Sequence, residues 1–390
     1  MKRTLLTLAI AMSFSGFSPA LYAEDFPEPL AAEPIPHVEV LPKSYPEDWV
    51  FAHDTNFFSL LDGKVVILDV ASENRHYKGM LGAGQFASFL PSSTRPELYV
   101  AETFYSRRLR GERTDAITIY DKETLNVVGE IVLPGAKRGQ MVTQKNSFQF
   151  TDGERLGLVF NFTPAASVTV VDFEKRAVLN EIQIPGCSLV YPTGKVGFST
   201  FCGDGTMVTF DLDKEGKVQK RHATEPFNDI SNDPLFMKTA VIDGINYFVS
   251  FKGRVQPVNL KGAKAKVKGG WSLIPEEQAD ENWRPAGWYV LSADGHGNLY
   301  VLMQKDGAEG SHKDGGSEVW VYDVDDKRRV RRIQLQTWGV TIEATKGDTA
   351  YLAVVNADMA IDVYDARSGE LIRTIGGRAA ETPFVLHAVE

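Results

Sequence analysis

An all-β fold built from a repeated unit is what this 390-residue sequence predicts, on three observations. Short runs rich in Val, Ile and aromatic residues recur along the chain, with no stretch of helical periodicity between them. A run often ends in Asp, and a polar turn and a second run follow. This pattern returns at Asp69, Asp121, Asp172, Asp211, Asn259, Asp323 and Asp365, spaced 39 to 64 residues apart. A period near 40–50 residues, with room for four strands per unit, is the mark of a propeller. The expectation is therefore a seven-bladed β-propeller over residues 48–390. The strand Pro383–Val389 would join the first blade and close the ring, which removes exposed edges.

The elements follow in chain order. Lys2 and Arg3, an apolar run Leu5–Phe17 and small residues to Ala20 and Ala23 read as a secretory signal peptide over residues 1–23, too short to span a bilayer. The expectation is an exported chain without membrane insertion. Residues 24–47 form an acidic arm with six prolines, a composition that excludes a regular helix or a central strand. Without Lys2 and Arg3, 40 basic residues face 51 acidic ones. That balance argues against nucleic-acid binding, which needs clustered cations in excess.

The segment YSRRLRGERTD, Tyr105–Asp115, falls between the second and third strands of a blade, and its mixed charges suit internal pairing of Arg with carboxylate. It is read as a loop on a rim that faces a partner, with Arg107, Arg110, Glu112, Arg113 and Asp115 as scaffold or interface residues. Two further long segments, Pro275–Gly287 and Lys305–Glu318, belong on the same rim, where binding surfaces concentrate. Cys187 and Cys202 flank a hairpin turning at Pro192–Lys195, and in an oxidising compartment a single disulfide is expected.

No catalytic set emerges. The seven histidines have no metal-ligand spacing, and GAGQFA (Gly82–Ala87) mimics a dinucleotide fingerprint without the helix that must follow it. No metal site and no catalytic residue is assigned to this chain.

Taken together, YSRRLRGERTDAITIYDKETL, PGCSLVYPTGKVGFSTFCGDGT and NWRPAGW (Asn282–Trp288) resemble the large subunit of tryptophan tryptophylquinone-dependent amine dehydrogenases over nearly the whole chain. Trp283 and Arg284 belong to these motifs as scaffold or interface positions. The run HDTNFFSLLDGKVV (His53–Val66) departs from the methylamine pattern and looks more like the aromatic amine branch. A methylamine dehydrogenase large subunit and a free-standing exported binding module are the alternatives. The resemblance implies a periplasmic heterotetramer of two large and two small chains, with the quinone and the catalytic base on the small one. It implies oxidative deamination of a primary, aromatic amine, and an azurin-like blue copper protein as electron acceptor. It also places a Phe of this chain at the mouth of the substrate channel, matched here by Phe58 or Phe57, with Tyr45 as a further lining residue.

Overall fold

The structure, a computed structural model, describes residues 40–57, 62–84, 86–376 and 380–390. The signal peptide, most of the acidic arm and Phe58 lie outside the described residues. Among the described residues regular structure is β-strand throughout, apart from four short 3₁₀ turns, and no helix is long and apolar enough to cross a membrane.

The strands pair antiparallel in six sheets. The first runs Val385–Ala388, Trp49–Asp54, Gly63–Asp69, Tyr77–Ala83, so the C-terminal strand is hydrogen-bonded to the first, with His53 opposite Val385 and Val50 opposite Ala388. Then come Ser88–Pro91 to Val127–Leu133, Phe148–Thr151 to Ala177–Gln183, Cys187–Pro192 to Val218–Ala223, and a fifth sheet from Ala240–Ile242 to Lys266–Val267 with Trp271–Ser272 beside it. The sixth holds eight strands between Arg284 and Ile375.

The blade count of seven is thus corrected: five separate blade-sized sheets are present, followed by one eight-stranded sheet. The cause is Arg328–Ala344, a single strand of 17 residues. It pairs with Gly316–Asp323 through Gln334 and then with Tyr351–Asn356 from Gly339 onward. Two of the other outermost strands stop at a Pro-Gly step, Pro134-Gly135 and Pro185-Gly186. Gln334–Val340 carries no proline; the ladder shifts register there, from Gln334 to Gly339 against Gly316–Asp323, but the strand runs on without a turn.

Burial follows position in each sheet. Second strands are mostly apolar and buried on both faces, such as Trp49–Asp54 and Leu156–Asn161. Outermost strands such as Val127–Leu133 and Val218–Ala223 are half or fully exposed. The apolar clusters lie between neighbouring sheets: Phe51 and Ile67 meet Phe89 and Val100, and Val66 and Leu68 meet Val355 and Val363. Packing of the sixth sheet on the first completes the ring.

Cys187 and Cys202 stand directly opposite each other on adjacent strands and form the expected disulfide, with their Cα atoms 3.9 Å apart.

Candidate partner-facing site

In every sheet the connections from second to third strand, and from outermost strand to the next innermost one, emerge on one face. The long ones gather there: residues 134–147, 224–239, 273–290 and 305–315, with the loop that follows Asp54. The same face carries large apolar side chains left in water, namely Phe57, Phe104, Leu109, Phe162, Ile230 and Trp338. Exposed apolar residues are ordinary at single positions, and these six include the largest ring left exposed among the described residues, that of Trp338.

The segment Tyr105–Asp115 is not a loop. Glu97–Arg107 and Arg110–Asp121 pair to the end, with Arg107 opposite Arg110 and a two-residue turn at Arg108 and Leu109. The inner neighbour stops pairing at Ala101 and the outer one at Asp115. Beyond these points about five residues per strand project as a two-stranded ribbon, roughly 17 Å long at the strand rise. Gly111 (φ 98°) permits the kink near its tip, where a Cβ would lie 2.4 Å from Ser106 Oγ. Such a ribbon is marginal in water by itself.

Its base is anchored. Asp115, 1% exposed, accepts hydrogen bonds from Arg113 (Nε 2.9 Å, Nη2 3.0 Å), Thr103 Oγ1 (2.7 Å) and the Arg138 amide (2.9 Å). The buried Arg138 guanidinium donates to Thr103 Oγ1 and to the Phe86 carbonyl. Burial pushes its pKa down to about 10, against the opposing pull of Asp115. Tyr105 donates to Gln140 Oε1 at 2.8 Å, tying the ribbon to residues 134–147. Internal pairing is therefore confined to Arg113 and Asp115. Arg107, Arg108, Arg110 and Glu112 stand exposed, with no ion pair among the described residues.

Phe57 lies on the same face, its ring edge-on to Phe384 at 5.9 Å and 40% exposed. Tyr45 does not join it. It is buried at the opposite end of the Trp49–Asp54 strand, about 20 Å away at the strand rise. Its hydroxyl donates to the Lys122 carbonyl at 2.5 Å and its ring packs on Trp49 and Phe51. Tyr45 lines instead a cavity of 1140 Å³ that opens on the insertion-poor face. Three of the five lysines there are engaged: Lys122 donates to the Ser92 carbonyl, Lys346 to the Ala293 carbonyl and Lys145 to Glu343 at 2.9 Å.

Trp283 and Arg284 both pack against aromatic rings. Trp283 is 3% exposed and packs on Trp320 with ring centroids 4.9 Å apart, while Arg284 lies over the Phe251 ring at 4.5 Å. A tryptophan-derived quinone requires two neighbouring indoles with an open edge. Trp283 and Trp320 are the one contacting indole pair among the described residues, but their Nε1 atoms donate to Glu281 and Glu318, and Arg332 covers both rings. The residues of this chain do not fit that group.

Other placements carried no signal in the sequence. Lys238 is 8% exposed and lies over the Trp288 ring at 4.0 Å; burial lowers its pKa to about 8. Asp54, at a strand end like many turn aspartates, is fully buried. Burial alone would raise its pKa, but the amides of Glu381, Asn56 and Thr382 and the Thr382 hydroxyl hold it below the usual value. Among the described residues no cluster of three or more His, Cys, Asp or Glu is arranged to hold a metal ion.

The fold is a propeller-type scaffold whose long connections and projecting ribbon gather on one face. Comparison with known proteins takes this further: the family model for the methylamine dehydrogenase heavy chain (MADH) matches residues 48–388, and the chain belongs to that family. It is an amine dehydrogenase large subunit, in accord with the resemblance seen in its motifs. It is 24% identical over 315 residues to the methylamine dehydrogenase heavy chain of Methylophilus methylotrophus (79% of this chain, 76% of that one). Identity to the Methylobacillus flagellatus heavy chain is 27% over 282 residues (72% and 70%). For Methylorubrum extorquens it is 22% over 342 residues (86% and 82%). Among solved structures, a putative 6-phosphogluconolactonase from Bacteroides fragilis superposes with a TM-score of 0.58 at 12% identity, covering 92% of this chain and 100% of that one. The β-propeller domain of Cps50 (Swd1) from Myceliophteria thermophila gives 0.54 at 10% identity (82% and 94%). These two likenesses concern the fold alone.

Proposed function

We propose that this chain is the large, cofactor-free subunit of a periplasmic amine dehydrogenase, in a heterotetramer of two large and two small chains. The small chain carries tryptophan tryptophylquinone and the catalytic base. The quinone supplies the electrophilic carbonyl and the two-electron sink for converting a primary amine to aldehyde and ammonia. This chain seats the small one on its insertion-bearing face and shapes the mouth through which the amine enters. An azurin-like blue copper protein takes the electrons, one at a time.

Family membership over residues 48–388 carries this reading. Support for the docking face comes from its exposed apolar side chains and projecting ribbon, since interfaces combine an apolar centre with Arg-bearing rims. An aromatic amine is favoured over methylamine by the exposed Phe57–Phe384 pair, because an edge-to-face aromatic pair offers a planar apolar wall that a methyl group would barely contact.

The test is purification of the native complex from periplasm. The expected outcome is a small Cys-rich chain that stays bound, with a visible chromophore that bleaches on adding tyramine and recovers on adding oxidised azurin. A colourless solitary chain would overturn the reading. Bleaching by methylamine at a higher kcat/KM than by tyramine would overturn the aromatic preference alone.

A further inference from the structure

We propose that Asp54 and Thr382 are positioning residues for amine specificity, because together they set where the Phe57 ring is presented. This rests on the reading of Phe57 as part of the substrate mouth.

Phe57 stands 40% exposed at the surface. Its backbone amide is held by a relay. The Asp54 carboxylate, buried at the end of its strand, accepts hydrogen bonds from the amides of Asn56 (2.9 Å), Glu381 (2.7 Å) and Thr382 (3.0 Å), and from Thr382 Oγ1 (3.0 Å). The Thr382 hydroxyl, itself fully buried, then accepts the Phe57 amide at 2.9 Å. The Thr55 amide donates to the Thr382 carbonyl at 3.2 Å. Residues 55–57 are in this way stitched to residues 381–382, more than 320 positions away. One hydroxyl passes the constraint from a buried carboxylate to the mouth residue.

The aromatic partner of Phe57 is fixed from the same side. The Phe384 amide donates to the Thr382 carbonyl at 2.8 Å, and its carbonyl accepts Thr341 Oγ1 at 2.8 Å. Both rings of the pair therefore take their positions from Thr382 and its neighbours.

Ring closure does not require the relay. It is already made by the ladder that ends at His53 opposite Val385, and the relay lies beyond that last pair. A buried carboxylate is costly unless its lone pairs are filled. Among the described residues the one cation that pairs with it, Lys64, is 3.7 Å away and a third exposed. Four donors converging on Asp54 offset that cost, and their common effect is to hold a three-residue turn rigid. Specificity at a mouth depends on such support, since a side chain on a loosely held loop discriminates poorly.

The test uses the assembled two-chain enzyme, with benzylamine, tyramine and methylamine as probes. Thr382→Val removes the acceptor for the Phe57 amide at nearly constant volume. The ratio of kcat/KM for aromatic against small amines should change by about tenfold, the scale of a misplaced positioning contact. KM should carry the change, with kcat at saturation within about twofold, because uniform binding is what is lost. Thr382→Ser should restore the ratio. Asp54→Asn is the second variant, should Thr382→Val fail to assemble, and should move the ratio the same way. An unchanged ratio in an intact tetramer, or failure of Thr382→Ser to restore it, overturns the proposal. Phe57→Ala separates the two levels. If it moves the ratio while the relay variants do not, the mouth stands and the relay falls. If it too leaves the ratio unchanged, both fall.

Discussion

Replacing Asp115 by Asn tests how the projecting ribbon is anchored. Asp115 is the acceptor for four donors, two of them from Arg113, and its side chain is fully buried while Arg113 is 17% exposed. Asn keeps the shape but removes the charge and turns an NH₂ group toward the Arg113 fork, so one donor faces another. Arg138, also buried, loses the carboxylate that offsets its burial. Breaking one side of a buried ion pair typically costs about 3–5 kcal/mol. Arg113 keeps some access to water and a second acceptor, the Arg138 carbonyl at 2.6 Å, which places the expectation near the lower end, about 3 kcal/mol. Urea unfolding of the isolated large chain at pH 7 measures it, with Arg113→Met and the double variant completing a cycle. The double variant should be less damaged than the two single losses added together, because the buried partner is no longer stranded. A loss below about 0.5 kcal/mol for Asp115→Asn, the range of an ordinary surface change, would refute the anchoring argument.

The other expectations follow from the same structure. Replacing Arg107, Arg108 and Arg110 together by Ala should leave large-chain stability within about 0.5 kcal/mol, since none forms an ion pair here. It should weaken retention of the small chain and flatten its salt dependence on a sizing column. Loss of the disulfide in a Cys187→Ser, Cys202→Ser double variant should lower stability by about 3 kcal/mol for a loop of this length, read from denaturant midpoints. Burial pushes the His53 pKa down to about 4, with Asp54 opposing it in part. The unfolded chain takes up that proton below about 6.5 while the folded one does not, so stability is complete above that pH and falls toward 4 at roughly 1.4 kcal/mol per unit. The buried His387 shifts in the same direction. A His53→Leu variant should lose less stability between pH 7 and pH 5 than the parent, and an equal slope would remove His53 from the account.

Much of the architecture was legible in the residues. Runs of alternating or continuous apolar residues ending at Asp turns mark strands because a two-residue side-chain period and a turn carboxylate are local properties. The closing role of Pro383–Val389 and the Cys187–Cys202 pair followed from counting, since a leftover strand and two cysteines leave few options. The blade count failed for the converse reason. It counted one blade per marker, from Asp69 to Asp365 with Asn259 among them, whereas Arg328–Ala344 runs as one strand that pairs with Gly316–Asp323 and then with Tyr351–Asn356, and which neighbours a strand joins is not written in its own residues. The Tyr105–Asp115 segment likewise read as a loop because its charges suggested one. Its strand character comes from pairing across the turn, with Arg113 and Asp115 on the anchored side and Arg107, Arg108 and Arg110 left to water.

By itself, then, the sequence determined the class of fold, the disulfide and the face where insertions gather, set by local pattern and spacing, while its motifs carried the family resemblance. Only the tertiary structure decided that Tyr45 and Phe57 sit at opposite ends of one strand, and that Trp283 is sealed in the core. It also brought Thr382 to Asp54, because a closed ring sets its last residues beside its first, and no local pattern carries that contact.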